Sequence, residues 1–469
     1  MLFSSITFLY YFLPAVILVY FLLPFRYKNI LLLLSSLIFY AWGEPKYSFL
    51  MIFSCIEGFI LGLLIEKEKG TNRGKILVFI SVVINLGLLG FFKYFNFFLD
   101  NINGIFNQNF TFLSIALPMG VSFYIFSIIS YNIDIYRGLF KAEKNLLDFT
   151  TYIAFFPQLV AGPIIRYSDI LVQLHKREHG LSECYYGGRR FIIGLAKKVL
   201  FANAFGALVS RFGESDEKTV LFYWLYAIGF TLQIYYDFSG YSDMAIGLGR
   251  IFGFRFLENF NYPYTAQSIT DFWRRWHMSL STWFKDYVYI PMGGNRVSVP
   301  KQIFNLLVVW MLTGFWHGAS WNFILWGLYF AVILILEKFL LKKNNIFLKN
   351  SKIISHIYVM LIVIISFIIF HAETLTQAIT ELSAMFGLTN IPWINTEALY
   401  YLGSYGVVFL FGIIGATPLL KEFYHKIAQN KNIDSFTIIL EPVVLTIILL
   451  VVTGYLVDGS FNPFLYFRF

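Results

Sequence analysis

His317 stands in a setting that suits acid–base chemistry. It lies in the run LTGFWHGASWNF, between Trp316 and Gly318, and the run contains no charged residue. Burial among apolar groups lowers the pKa of a histidine and favours the neutral form that a general base needs. Gly314 and Gly318 leave room for a backbone or a flat ligand to approach. The alternative is a core histidine that donates one hydrogen bond to a carbonyl group, and the residues alone leave both interpretations open.

His277 lies in the stretch that is richest in ionisable groups, DFWRRWHMSLSTWFKDYVYIPMGGNR, which runs from Asp271 to Arg296. Ionisable groups at membrane depth are costly and are usually kept for function. His277 either orients a substrate, contacts a carbonyl group or pairs with Asp271, and the spacing favours pairing. With so many charges near it in sequence, we expect His277 at the cytosolic mouth of a site.

The basic residues of this stretch have two interpretations. They either neutralise the phosphates of a nucleotide-bearing substrate such as coenzyme A, or they mark the cytosolic ends of membrane spans, and the second role is the more common one. The set that we predict to bind substrate adds neighbouring acidic, aromatic and amide side chains. It consists of Asp271, Arg274, Arg275, Trp276, Lys285, Arg296, Trp316 and Asn322.

The acidic residues and cysteines do not predict a metal site. Asp237 and Asp243, in YYDFSGYSDMAIGLGRIFGF, are six residues apart and therefore do not share a helical face. Asp237 and Ser239 are expected to cap backbone groups instead. Cys55 and Cys184 stand alone without ligand spacing, so neither a metal nor a disulfide framework is predicted. We expect no tightly bound cofactor.

The composition predicts that these residues are positioned by a helical bundle in a membrane. The chain has 469 residues, of which 58% are hydrophobic and only 13% charged, against about 25% charged in average domains. A bilayer core is crossed by about 20 apolar residues. The candidate spans are 6–24, 29–42, 47–65, 76–93, 115–136, 191–210, 219–236, 302–317, 321–340, 353–371, 399–419 and 437–457.

The net charge of +9 reflects topology and not a nucleic-acid partner. If the N-terminus is outside, nearly all lysines and arginines fall in the connections on the cytosolic side, as the positive-inside rule requires. The outer connection 372–398 carries no basic residue. We therefore predict a multi-pass membrane protein that contacts the lipid bilayer, with its N-terminus outside, and no nucleic-acid partner.

Two long connections are too apolar to be ordinary loops. In 145–190, Pro157, Gly162 and Pro163 must break any helix, and a re-entrant element is predicted. In 237–301, one or two short helices are expected after an N-cap at Thr270, and a turn with positive φ at Gly293-Gly294-Asn295. The predicted fold is an all-α bundle forming one membrane domain over 1–469, with 235–321 as its core stretch.

Several long motifs resemble those of the membrane-bound O-acyltransferase (MBOAT) family, especially its bacterial alginate O-acetylase branch. They are FFPQLVAGPIIRYSDIL, YYDFSGYSDMAIGLGRIFGFRFLENFNYPY, SITDFWRRWHMSLSTWFKDYVYIPMGGNR, GFWHGASWNFILWG and NPFLYFRF. The resemblance covers nearly the whole chain. The resemblance implies a bundle of about 11–12 spans with a central funnel. His317 stands at the position of the family's catalytic histidine and His277 at that of its second functional histidine. His371 and Ala372 stand where this branch usually has Arg-Ala.

The resemblance also implies an activity. It predicts an O-acetyltransferase of the bacterial cell membrane that uses cytosolic acetyl-coenzyme A as donor. The acceptor is an exopolysaccharide, a secreted SGNH-type acetyltransferase partner, or both. Two alternatives stay open: D-alanyl transfer from a carrier protein to teichoic acid, which a related branch performs, and a polytopic transporter or flippase, because broken segments also occur in transporters.

Overall fold

The computed structural model describes residues 1–341, 351–428 and 431–459, and over these residues the chain is helical and contains no β-strand. The tail motif at 462–469 lies outside the described residues. We number the helices in chain order. They are α1 Phe8–Leu22, α2 Phe25–Gly43, α3 Ser48–Lys67, α4 Asn72–Phe106, α5 Val121–Arg137, α6 Leu146–Ala154, α7 Phe156–Leu159, α8 Tyr167–His175, α9 Leu181–Glu214, α10 Val220–Ile251, α11 Ile269–Trp273, α12 Met278–Phe284, α13 Val299–His317, α14 Trp321–Leu340, α15 Lys352–His371, α16 Leu375–Met385, α17 Thr396–Gly415, α18 Leu419–Ala428 and α19 Lys431–Val457.

The helices confirm an all-α polytopic membrane protein. Among the described residues, seven helices or helix segments are long and apolar enough to cross a bilayer: α3, α4, α9, α14, α15, α17 and the segment Leu440–Val457 of α19. Each of the other predicted spans also falls on a helix, but on one that is shorter or more polar, such as α1, α2, α5 or α13. The location of the N-terminus outside the membrane stays a prediction.

The chain folds into two compact units. One consists of Met1–Phe191 and Ser242–Leu257, and the other of Ile192–Tyr241 and Glu258–Phe469. The long helices α9 and α10 each contribute residues to both units. A boundary inside a continuous helix differs from the flexible linkers that usually separate domains. The single membrane domain over 1–469 stays a prediction.

The connection 145–190, in the first unit, is broken where the sequence predicts. Here the chain forms α6, α7 and α8, and every residue from 148 to 165 is buried. Pro157 lies in the first turn of α7, where its missing N–H costs nothing. A Cβ on Gly162 would collide with the backbone of Gln158, so only glycine permits this close return of the chain.

The predicted caps at Asp237 and Ser239 are wrong, because α10 continues through both residues to Ile251. Asp237 instead forms a buried ion pair with Lys198, with 2.6 Å between Oδ1 and Nζ. A carboxylate that leaves water needs a counter-charge, and this requirement overrides the local preference of aspartate for helix ends. Asp243 similarly pairs with Arg190 at 2.9 Å.

The segment around His277 forms two short helices, α11 and α12. Ser268 caps α11 by accepting the N–H of Asp271, so the predicted cap at Thr270 is wrong. The N–H groups of Ile269 and Thr270 are instead accepted by the carboxylate of Glu337, at 2.6 and 2.9 Å. A buried carboxylate from α14 thus anchors the helix N-terminus electrostatically. The predicted turn is confirmed further on, where Gly293 and Gly294 have positive φ.

Helices α13 and α14, which residues 318–320 connect, cross at very short range. The Cα atoms of Gly314 and Gly327 face each other, and a Cβ on Gly327 would collide with the carbonyl oxygen of Trp310. A Cβ on Gly314 would likewise collide with the carbonyl oxygen of Phe323. Small residues allow such backbone contact between membrane helices. The prediction that Gly314 admits a second backbone is therefore confirmed.

The glycine crossing gives a stability prediction. In Gly327→Val the added atoms meet backbone, which cannot move away by changing rotamer, and overpacking of this kind costs about 1–3 kcal/mol. The unfolding temperature in detergent should fall clearly below that of the wild type. Gly87→Val is the matched control, because Gly87 also lies in a predicted span and a Cβ there meets nothing within 4 Å. Equal unfolding temperatures for the two variants would show that the crossing does not limit stability.

Candidate active site

His317 is the last residue of α13 and is held in a shell of aromatic rings. The residue is only 9% exposed. The rings of Trp316, Trp326 and Phe370 have centroids 4.9, 5.2 and 5.4 Å from the imidazole, and all three meet it edge to face. Beyond it Gly318 is extended, and a side chain there would collide with Phe323. The crossing of α13 and α14 therefore fixes both the position and the dry surroundings of His317.

His277 occupies the junction between α11 and α12 with a left-handed backbone, at φ 43° and ψ 54°. Non-glycine residues adopt this conformation uncommonly, and it often accompanies a functional constraint. The residue is fully buried. The sequence predicted His277 at the cytosolic mouth of a site, but a fully buried residue does not lie at an exposed opening. The strained junction turns the imidazole inward, toward Phe238, whose ring lies edge-on at 4.6 Å.

Asn259 holds the His277 junction and selects its tautomer. Its Oδ1 accepts the backbone N–H and the hydroxyl of Ser279, at 3.2 and 2.9 Å. The same oxygen lies 3.2 Å from Nδ1 of His277. Because an amide oxygen can only accept, Nδ1 must carry the proton, and Nε2 then holds the lone pair.

The two histidines meet the same indole. The ring of Trp316 contacts His277 at 5.9 Å and His317 at 4.9 Å between centroids. Burial, and to a lesser extent the nearby His317, lower the pKa of His277 well below its ordinary value, so the imidazole is neutral. The expected pairing of His277 with Asp271 is wrong, because Asp271 binds Arg275 at 3.0 Å. Two histidines that are distant in sequence thus belong to one buried cluster.

The structure distributes the predicted substrate-binding residues over three environments. Trp276 is buried in the aromatic core with Tyr235 and Phe260, and Trp316 lies between the histidines. Asn322 is buried and donates to the carbonyl oxygen of Ala372 at 2.7 Å. The pair Asp271–Arg275 is half-buried. The remaining members are exposed and form no ion pair with the described residues; they are Arg274, Lys285 and Arg296.

Several polar atoms around the histidines are buried and have no hydrogen-bond partner among the described residues. They include Nε2 of His277, Nδ2 of Asn259 and the indole Nε1 atoms of Trp273 and Trp326. The two indoles pack together at 5.7 Å, and Trp326 contacts His317. A buried polar group without a partner costs about 1–3 kcal/mol. A polar ligand bound in this aromatic cluster would supply hydrogen-bond partners for the imidazole acceptor and for the N–H donors.

A second polar cluster, at the end of α15, was not predicted from the sequence. His371 is the last residue of α15, and its Nδ1 lies 2.6 Å from the hydroxyl of Tyr226. That hydroxyl also donates to Glu381 at 3.2 Å. Burial raises the pKa of the Glu381 carboxyl. Phe370, the neighbour of His371, contacts His317, so this cluster lies one residue away from the histidine site. The one sequence signal for this polar cluster was that His371 stands where the alginate O-acetylase branch usually has arginine.

Comparisons with known proteins decide the family. The family model described as MBOAT, membrane-bound O-acyltransferase family, matches residues 139–380. The chain belongs to this family. It is 41% identical to the probable alginate O-acetylase of Pseudomonas aeruginosa, over 92% of this chain and 84% of that protein. It is 34% identical to the peptidoglycan O-acetyltransferase of Helicobacter pylori, over 83% and 81%.

A more distant relative has another activity. The chain is 32% identical to the teichoic acid D-alanyltransferase of Bacillus subtilis, over 48% of this chain and 60% of that protein. The family and these relatives establish that the chain is a membrane O-acyltransferase. The transporter alternative has no support among them.

Asn259 gives a prediction that separates positioning from packing. In Asn259→Ala, His277 and Ser279 lose a buried acceptor, so stability should fall by about 1–3 kcal/mol and acyl transfer should fall with it. Asn259→Asp keeps the acceptor and adds a negative charge, which raises the pKa of His277. The imidazolium then persists to higher pH, so the acid limb of the pH–rate profile should move upward.

The control is Asn305→Ala, which removes another buried asparagine, one that donates to the carbonyl oxygen of Met292. It should lower stability without moving the acid limb. A profile for Asn259→Asp that coincides with that of the wild type would mean that Asn259 does not act through His277.

Proposed function

We propose that this acyltransferase moves an acetyl group from cytosolic acetyl-coenzyme A to a hydroxyl group on the other side of a bacterial cell membrane. The acceptor is an extracytoplasmic polysaccharide, or a serine of a secreted SGNH-type acetyltransferase that passes the group on. The two relatives with the higher identity support acetyl transfer, since their names describe O-acetylation of polysaccharides. The orientation with the N-terminus outside belongs to the same proposal.

The observation that carries the proposal is the set of unpartnered polar atoms beside His317. The reaction brings a thioester carbonyl, an amide-containing pantetheine arm and a hydroxyl together away from water. An aromatic cluster with His277 Nε2 as acceptor and the Trp326 indole as donor offers a partner for each polar group. Excluding water also prevents hydrolysis of the thioester and strengthens each hydrogen bond.

In the proposed step His317 is the general base. It takes the proton of the acceptor hydroxyl while the oxygen attacks the thioester carbonyl carbon, which gives a tetrahedral intermediate. The C–S bond then breaks, and the leaving thiolate takes the proton back from His317, so protons balance without a metal or a cofactor. The indole N–H of Trp326 donates to the oxyanion, and Nε2 of His277 accepts an amide N–H of the donor.

The basic residues near α11 and α12 suit the far end of the donor. Arg274, Lys285 and Arg296 have no ion pair with the described residues, so their charges are available to coenzyme A phosphates. They are close in sequence to His277, which lies between these two helices. A donor held by its phosphates at these residues would direct its acyl end toward the buried cluster.

The two histidines have separable expected phenotypes. His317→Gln should lower turnover by about 10²- to 10⁴-fold, the usual contribution of a general base, while calorimetry still detects donor binding. His277→Gln should raise the KM for acetyl-coenzyme A more than it lowers kcat, because it removes a donor contact. Folding of each variant is checked by its unfolding temperature. Loss of donor binding in His317→Gln, with loss of turnover alone in His277→Gln, would require the two roles to be exchanged.

The oxyanion donor is tested by Trp326→Phe, which keeps an aromatic ring at the site but removes the N–H together with part of the indole. Removal of one such donor elsewhere costs about 10²- to 10³-fold in kcat, and a similar loss is expected here. Trp224→Phe is the control, because the Trp224 indole already donates to the carbonyl oxygen of Met385 at 2.8 Å. If both variants retain wild-type kcat, Trp326 does not stabilise the oxyanion.

The D-alanyl alternative keeps the site and changes the donor. Purified protein is offered labelled acetyl-coenzyme A and, separately, D-alanine on its carrier protein. Transfer from acetyl-coenzyme A alone supports the proposal. Transfer from the carrier alone would reverse it in favour of the activity named for the Bacillus subtilis relative.

A further inference from the structure

A second buried site lies in the first unit, far in sequence from either histidine. It brings together the end of α1, the start of α2 and the segment that follows α8. Two cationic side chains are buried here: Lys28, 8% exposed, and Arg177, 7% exposed. Burial of a charge is costly unless the charge is paired, so the partners of these two side chains decide what the site can do.

The guanidinium of Arg177 is only partly satisfied. It lies between two rings, with its central carbon 5.2 Å from the centroid of Phe25 and 4.6 Å from that of Phe254. Its Nη2 donates to Oδ1 of Asn29 at 2.6 Å, and the phenol of Tyr20 lies beside the same group. The other two nitrogens, Nε and Nη1, are buried and have no hydrogen-bond partner among the described residues.

The ammonium of Lys28 has ring contacts but no ion pair among the described residues. Its Nζ lies 4.5 Å from the ring centroid of Tyr20 and 5.5 Å from that of Phe21. The carboxylate of Asp148 attracts Arg177. However, its own oxygens accept the amides of Asn29 and Asn145, at 2.6 and 2.8 Å. The carboxylate near Arg177 is thus already held by two amides, and the charge of Lys28, which acts on Arg177, adds to the positive charge of the site.

His179 lies close to the two buried cations, and its pKa responds to their charge. Its Nε2 donates to the hydroxyl of Tyr20 at 2.8 Å, while that hydroxyl donates to the carbonyl oxygen of Phe252 at 2.6 Å. Burial, with the charges of Lys28 and Arg177, lowers the pKa of His179 to about 4. Burial is the larger cause, but the two cations act in the same direction, and their positive charge is what would attract an anion.

We propose that Lys28 and Arg177 form a binding site for a phosphate group, supplied by the headgroup of an anionic phospholipid. A phosphate diester offers a negative charge and acceptor oxygens to the unpartnered N–H groups, and arginine suits this geometry. The surroundings favour a lipid over a soluble phosphate. Phe21 and Phe25 are 42% and 41% exposed, and Leu22 between them is 75% exposed.

This placement matches the depth of lipid headgroups. The site lies where the apolar helix α1 ends and α2 begins, and aromatic and basic side chains at such helix ends mark the membrane–water interface. The bound lipid would join α1, α2 and the segment after α8. The inference is independent of the acetyl-transfer proposal, because none of its residues belongs to the histidine cluster.

The test uses the full-length protein in detergent after removal of native lipid. Phosphatidylglycerol, phosphatidylcholine and inorganic phosphate are titrated separately, and binding is followed by native mass spectrometry and by the unfolding temperature. Phosphatidylglycerol should bind the wild type more tightly than phosphatidylcholine and raise its unfolding temperature. Lys28→Gln and Arg177→Gln should each weaken that binding about tenfold or more, the usual loss when a charged hydrogen-bond partner is removed.

Arg26→Gln is the matched control. Arg26 also lies at the start of α2 but is exposed, so its removal changes the net charge at this level without touching the site. Lys28→Arg keeps the charge and should retain binding. If Arg177→Gln fails to fold, the comparison of Lys28→Arg with Lys28→Gln still tests the site. Binding of inorganic phosphate, lost in Lys28→Gln, would support the phosphate site with a soluble source. Equal affinity for phosphatidylglycerol in Lys28→Gln, Arg177→Gln and Arg26→Gln would overturn the proposal.

Discussion

The loss of water around buried polar groups is the constraint on which this structure depends. A membrane bundle cannot solvate the ionisable side chains that it buries, so each of these needs a partner. Asp237 finds Lys198, and Glu337 finds the N-terminal N–H groups of α11. These pairings join elements that are distant in sequence. The contacts of Glu337 also anchor the first of the two short helices that flank His277.

Helix packing positions His317, whereas hydrogen bonds position His277. Gly314 and Gly327 bring α13 and α14 into backbone contact, and this contact places the end of α13 against Trp326. No hydrogen bond has to be invoked for this geometry, because it follows from the absence of side chains at two positions. The left-handed turn at His277 is different in kind, since it stores strain that the contacts of Asn259 must offset. One histidine is thus positioned by shape and the other by hydrogen bonds.

The sequence predicts those features that depend on composition or on local backbone chemistry. Helical spans, the break at Pro157 and the turn at Gly293 follow from apolar length, a missing N–H and positive φ. Long-range pairings are not predictable in this way. Asp237 looked like a helix cap because its partner, Lys198, comes from another helix. Nothing near His277 in sequence indicated that Asn259 would bind it. The positions of the two histidines were recognised through a family resemblance, and their shared contact with Trp316 required the fold.

The histidine cluster and the Arg177 site both contain polar groups without partners, but these groups differ in charge. The two sites should therefore bind different ligands. Around the histidines the unpartnered atoms are neutral, and they include an imidazole lone pair, an amide N–H₂ group and two indole N–H groups. Neutral groups in an aromatic shell gain from dipolar partners such as amides, hydroxyls and thioester carbonyls, and a permanent charge would be poorly solvated there. Around Arg177 the unpartnered groups carry a formal positive charge, and a dipole would leave that charge uncompensated. Only an anion compensates the positive charge at Arg177. A ligand that satisfies one of these sites is therefore unsuited to the other, and one chain can hold both without competition between them.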